Sequence, residues 1–475
     1  DLTDYVLSQI ITIDPSRKFY IPDHVFEVTM AIKANDVPAL GYVQYSVDTE
    51  KDSHKEMEEK SVLENEYYTI EVEKDGSLTI VDKENNVTYK NQGILVENGD
   101  DGDSFNYSPP RKDLEVFSNE SESSVKISGS DVYSQAVIHF DMVVPENLEE
   151  RAEGKVSVTM PVDMTVALRK GSKVIDFNVK VDNKGLSHRL CVVFDSQIVS
   201  AFNYADQQFG LIKRPNYYEK EMKLYMESMN NRSEKKTGIQ ELANWANDQS
   251  TWQEPPISIE PTQSYVSLTD GKTGVAVIPQ GVREYEVLDD SKIRLTLFRT
   301  YGFMGKENLI YRPGRASGER IIETPAAQLL KQMEFNFGFT TYAGDINDAD
   351  IDTLAKQYDT NMEVYTYAEF LNGRLIFSQR EIEGKNDIVH SLFETEGNLV
   401  VSAIKKAEED DGYIIRLYNG KDHRNLDDKI KFNFDVKEAY YTNLREEKTE
   451  AIKVENNTIS VKELSHCKFV TIWVK

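Results

Sequence analysis

The chain has 475 residues, 39% hydrophobic and 29% charged, with 81 Asp and Glu against 55 Lys and Arg, for a net charge of −26. So large an excess of carboxylates repels phosphate backbones and anionic lipid headgroups, which argues against nucleic acid and membrane surfaces as partners. At about 150 residues per domain the length suggests about three units, enough to bury a core without disulfide or metal staples.

Residues 1–50 read as a few N-terminal β strands that end in Val37-Pro-Ala-Leu-Gly-Tyr. Residues 50–61 are a charged run, expected as a linker or a short exposed helix. From residue 62 strand signals dominate, as β-branched and aromatic alternations punctuated by Gly, Asn and Asp. Tyr67-Tyr-Thr-Ile-Glu-Val and Ser77-Leu-Thr-Ile-Val flank Lys74-Asp75-Gly76, where Asp-Gly supplies the positive φ that a tight hairpin needs. Further alternations follow at Val156-Ser-Val-Thr-Met, Val174-Ile-Asp-Phe-Asn-Val-Lys-Val and Ile293-Arg-Leu-Thr-Leu-Phe. Two helices are expected, over 233–248 with Leu242 and Trp245 on one face, and over 345–358 with an Asp or Asn cap. These breaks define a large β-sandwich at 62–345 and a smaller C-terminal β-sandwich at 360–475. The fold class is all-β, and the absence of a short-period repeat disfavours a propeller or solenoid.

Motifs for self-sufficient chemistry are missing. The sequence has no Gly-rich phosphate loop, CxxC pair, GxSxG or HExxH. His139-Phe140-Asp141 puts two polar side chains on one strand face, but two ligands fall short of the three or four a zinc site takes, so a polar outer face is the plainer reading. Cys191 and Cys467 lie far apart in apolar stretches and are expected to be buried free thiols in a reducing, cytoplasmic setting. No apolar run reaches the roughly 18 residues of a membrane-spanning helix.

One loop carries a candidate site. Glu97-Asn-Gly-Asp-Asp-Gly-Asp-Ser-Phe-Asn-Tyr-Ser-Pro-Pro is acidic and Gly-containing and ends in two aromatics and a double proline. A surface turn accounts for its composition. A sugar-contacting loop does so as well, since aromatic faces stack on sugar C–H groups and carboxylates accept from hydroxyls. Calcium binding is disfavoured because Asp100, Asp101 and Asp103 lack EF-hand spacing.

This loop resembles the GD-rich loop of glycoside hydrolase family 38, and bacterial mannosylglycerate hydrolases in particular. An ordered series supports the resemblance: Asn183-Lys-Gly-Leu-Ser-His-Arg-Leu, Tyr204-Ala-Asp-Gln-Gln-Phe-Gly, Gly281-Val-Arg-Glu-Tyr-Glu, Leu295-Thr-Leu-Phe-Arg, Glu323-Thr-Pro-Ala-Ala-Gln and Arg416-Leu-Tyr-Asn. The resemblance implies a mutarotase-like β super-sandwich, and the β portion of a retaining α-mannosidase acting on α-mannosides. An N-terminal catalytic domain would hold zinc or another divalent metal and supply the aspartate nucleophile. None of those motifs matches here, so no catalytic residue or metal ligand is assigned, and the chain is expected to be a fragment. Asp103, Phe105 and Tyr107 are the expected substrate-pocket residues, with Phe105 where relatives carry tyrosine. His188-Arg189, Arg299 and Arg416 are expected to serve packing and ion pairing. A free-standing carbohydrate-binding or scaffold protein and an aldose epimerase-like enzyme are the alternatives.

Overall fold

The computed structural model describes residues 32–45, 57–232, 254–313, 321–360, 362–364, 389–425 and 427–475, without the side chains of 228–232. Contacts divide the chain into Asp1–Lys33 and Ala34–Lys475, and the account below concerns the second unit. Among the described residues are three α-helices, α1 (Leu148–Glu153), α2 (Glu219–Arg232) and α3 (Ile351–Asp359), two 3-10 turns and otherwise strands. None of these helices is long and apolar enough to cross a membrane.

The large sandwich is built on a ten-stranded antiparallel sheet. Its order from edge to edge is Gly210–Pro215, Phe202–Gln207, Val266–Thr269, Thr273–Gln280, Gln332–Ala343, Ile175–Asp182, Val158–Arg169, Tyr133–Val144, Glu122–Gly129 and Glu58–Glu59. Period-two alternation fixes which face is buried. Ala136, Ile138, Phe140, Met142 and Val144 of one strand all point inward, and Phe140 pairs with Val162 of the next. A four-stranded sheet (residues 63–92) and a six-stranded sheet cover that inner face. The six-stranded sheet runs Glu260–Pro261, Glu284–Leu288, Lys292–Arg299, His188–Asp195, Ile94–Gly99 and Val116–Phe117. One apolar core joins all three sheets. Phe177 stacks on Phe337 at 5.2 Å, and Phe194 meets both Phe177 and Phe339. Truncating Phe177 or Phe194 therefore removes a ring from between sheets, a loss of about 3–5 kcal/mol.

The hairpin expected at Lys74-Asp75-Gly76 is present. Gly76 has φ 80°, Asp75 Oδ1 accepts from Ser77 N at 3.0 Å, and a Cβ at Gly76 would fall 2.4 Å from the Phe140 ring. The charged run gives a different result: Glu58–Glu59 is an edge strand pairing with Ser128 and Gly129, while 51–56 lie outside the described residues. The helix expected over 233–248 also lies outside them. The expected helix over 345–358 corresponds to α3, which begins later, after a turn at 346–349.

A second apolar core, from Phe393 to Val474, holds the terminal sandwich of a three-stranded and a five-stranded sheet. Near the chain's start, Gly41–Val43 pairs with Val389–Ser391; the rest of the strands expected in 1–50 lie outside the described residues or in irregular backbone. Both cysteines are free. Cys191 is buried, but the expectation of burial is corrected for Cys467, which sits exposed on a turn with φ 59°.

Candidate functional site

Strand Ile94–Gly99 ends where the Gly-Asp loop begins, and buried charge fixes that end. Glu97 is fully buried and accepts from the Arg151 guanidinium and, at 2.9 Å, bonds His188 Nδ1. His188 Nε2 lies 2.9 Å from Asn183 Oδ1, so both ring nitrogens face oxygen acceptors. Arg151 reaches this place from α1, a helix started by Asn147, whose side chain accepts from Glu149 N and Glu150 N. His188 thus packs in the interior, hydrogen-bonded to the buried Glu97 and Asn183, and sits at the root of the loop.

From Asp100 onward the loop is clamped by cations from distant strands and loops. Arg299 donates to both Asp100 oxygens, at 2.6 and 3.2 Å, and to the backbone carbonyls of Asp103 and Asn106 at 2.8 and 3.0 Å. Burial pushes the Asp100 carboxyl up, against the pull of Arg299. Arg312 donates to the Asp103 carboxylate, Asn106 Oδ1 and the Lys306 carbonyl, and Lys306 pairs with Asp101. Asp103 also accepts from the backbone N–H groups of Phe105, Asn106 and Lys306. Burial opposes its ionisation, but Arg312 and those N–H groups outweigh it, and the carboxyl is held below its ordinary range. Gly102 is required by close approach: a Cβ there would lie 2.0 Å from the Asn106 carbonyl.

The three expected pocket residues separate. Phe105, at the tip, is 61% exposed. Asp103 is 0% exposed and Tyr107 is 8% exposed, so of the three expected pocket residues only Phe105 presents its side chain to solvent. Asp103 lies beneath the loop because its oxygens are taken by Arg312 and the backbone. Tyr107 lies under it because its ring stacks against Arg189, whose guanidinium carbon is 4.0 Å from the ring centre, and its hydroxyl accepts from Asn98 Nδ2 at 3.1 Å. Tyr311 closes the other side, with ring centres 5.9 Å apart. A second loop is bonded to this tip: Ser104 Oγ donates to the Met304 carbonyl and Met304 N to the Ile322 carbonyl, and Met304, Ile321 and Ile322 are exposed. An exposed aromatic tip on a base of buried ion pairs suits contact with a sugar face or with another protein surface.

Arg312 and Lys306, which hold the loop, were not legible as site residues, since their partners lie some two hundred positions away and no local pattern marks them. Arg299 pairs with a carboxylate as expected, whereas Arg416 bonds Thr471 Oγ1 at 3.1 Å instead. His139 pairs with Asp163 at 2.7 Å and Asp141 at 3.4 Å on an exposed sheet face. Among the described residues no group of three or more His, Cys, Asp and Glu is placed to hold a metal ion.

The two sandwiches match the C-terminal β domains of a family of glycoside hydrolases. The model of the glycosyl hydrolases family 38 C-terminal domain matches residues 63–303, and that of the family's C-terminal beta sandwich domain matches 398–471. The chain belongs to glycosyl hydrolase family 38. A protein of Halalkalibacterium halodurans assigned the name mannosylglycerate hydrolase is 24% identical over 422 residues, which are 85% of this chain and 40% of that one. Among solved structures, a family 38 protein from Enterococcus faecalis has TM-score 0.67 at 20% identity over 89% of this chain and 45% of its own. An alpha-mannosidase from the same organism has TM-score 0.66 at 21% identity over 87% and 42%. At these identities the structural likeness shows the fold, and the chain spans less than half the length of each relative.

Proposed function

We propose that this chain is the non-catalytic C-terminal portion of a longer retaining, metal-dependent α-mannosidase of the cytoplasm. In that reading it completes the sugar pocket of an N-terminal catalytic domain and its substrate is an α-mannoside. The observation that carries the reading is Phe105, an exposed ring at the tip of a loop whose Asp100 and Asp103 anchors are buried. Exposing a phenylalanine on so rigid a support wastes apolar burial unless something packs on it. The names of the relatives support the choice of partner, and the free thiols fit a reducing compartment.

The roles follow from position. Phe105 offers its face to the sugar's C–H groups and excludes water, Asp103 and Arg312 fix the loop's shape, and Tyr107 supports it from below. The described residues do not fit a metal site, since His139, Asp141 and Asp163 are occupied with one another; the metal and the nucleophilic carboxylate belong in this reading to the other domain. The 475-residue chain alone is expected to be inactive on aryl α-mannosides, with or without added zinc, while showing a folded β spectrum. Zinc-dependent turnover by the isolated chain that disappears in His139→Ala would overturn the assignment.

A further inference from the structure

The terminal sandwich docks on the large one along a seam that holds several charged side chains, one ion pair of which is nearly buried. On the large sandwich, Asp206 and Phe209 lie at the end of strand Phe202–Gln207 and its turn, next to Ser264 and Tyr265. Helix α3 contributes Asp352 and Lys356. The terminal sandwich contributes Tyr418, Lys421, His466, Cys467, Lys468 and Phe469. Phe209 stacks on Phe469 at 5.2 Å and meets Tyr418 at 5.9 Å, and Leu211 N donates to the Gly420 carbonyl at 3.0 Å across the seam. Gly210 is packed so closely that a Cβ would lie 2.8 Å from Cys467 Sγ and 2.9 Å from His466 Nε2.

The seam holds two carboxylates, Asp206 and Asp352, and three ammonium groups, Lys356, Lys421 and Lys468, and only one pair of them forms an ion pair among the described residues. Asp352 takes Lys421 at 3.3 Å and the Tyr265 hydroxyl at 2.8 Å, with both ion-pair side chains nearly buried. Lys421 also donates to the Ala349 carbonyl. Lys356 spends its bond on the Val401 carbonyl at 3.0 Å and lies 5.2 Å over the Tyr418 ring. Asp206 is left with the Ser264 hydroxyl at 2.6 Å and the Ser264 backbone N–H, and no ion pair among the described residues. A half-buried carboxylate with a second carboxylate close by and no cation of its own disfavours its charged form.

We propose that this seam is a proton-operated latch: protonation of Asp206 tightens the docking of the terminal sandwich, and its ionisation loosens it. Burial, and after it Asp352, push the Asp206 carboxyl up to about 6, with Lys356 pulling the other way. Burial and Asp206 together push up the Tyr418 hydroxyl and the Cys467 thiol, consistent with negative charge collected at one place. The sign follows from linkage. A carboxyl whose value is higher docked than free adds stability to docking that is complete below the free value of about 4, and lost as pH rises through the docked value.

The Leu211 amide reports on the latch, because its bond crosses the seam and is not part of the sheet ladder. In hydrogen exchange corrected for intrinsic rates, the opening constant of a peptide containing Leu211 should rise about tenfold from pH 5 to pH 8, while peptides in strand Ile175–Asp182 stay protected. Asp206→Asn, which keeps an acceptor for Ser264 but cannot ionise, should remove the dependence. Ser264→Ala, which removes the hydroxyl that stabilises the ionised form, should move the transition to higher pH. His466→Gln should leave it in place. A pH-independent opening constant in the parent, a dependence that survives Asp206→Asn, or one abolished by His466→Gln would each overturn the latch.

Discussion

Replacing Phe105 by alanine in the longer protein is expected to lower kcat/KM for an α-mannoside by about tenfold to a hundredfold, the scale set by loss of a positioning contact and of water exclusion at a sugar site. The fold should scarcely respond. The ring is 61% exposed and closes no part of the core, so the change in stability should stay within about 0.5 kcal/mol. Phe105→Tyr should retain most of the activity, because the ring face is kept and the tip has room for a hydroxyl. Initial rates on an aryl α-mannoside, set beside a denaturant titration of the same variants, separate the two effects. Parent-like rates for Phe105→Ala would make the tip a structural or docking feature only.

Arg312→Ala should have the larger effect on stability. Arg312 and Asp103 are both buried, and removing the guanidinium leaves the Asp103 carboxylate with backbone N–H groups alone. Breaking a buried pair from one side costs about 3–5 kcal/mol, whatever the net worth of the intact pair. The loss should depend on pH in a definite direction. In the parent, the Asp103 carboxyl is held below its ordinary range, so its contribution is present above about pH 4 and lost as pH falls through the lowered value. In the variant, burial without Arg312 favours the protonated acid, so the deficit should be greatest near pH 7 and shrink as the medium is acidified. Denaturant titrations of parent and variant at about pH 3.5 and about pH 7 measure this directly. An equal deficit at both values would mean that Arg312 acts by packing and not through the Asp103 charge.

Much of the β architecture can be read from local pattern. Tyr133–Val144 alternates so regularly that its buried set follows from spacing, and Asp75-Gly76 marks its hairpin because few other pairs accept the turn's geometry. α1 could have been found from Asn147 followed three residues later by Glu150, a capping signal overshadowed by the strands around it. Cys467 was misjudged since the apolar run Phe469–Val474 that follows it conceals a turn with positive φ. For the site, composition pointed to the loop but not to the division of labour within it. Asp103 and Phe105 are two residues apart, one buried and one exposed, because Arg312 reaches the first from 209 positions away. Pairing over such separations is set by topology, which leaves no local trace.

The most direct measurement is the distance from the Phe105 ring to a bound sugar, in a crystal structure of the longer protein with a mannose-configured inhibitor. If the loop completes the pocket, ring carbons should lie within about 4–4.5 Å of sugar carbons, the range of apolar contact. A sugar bound with Phe105 more than about 10 Å away, roughly the spacing of two stacked sheets, would contradict the assignment of this loop to the pocket.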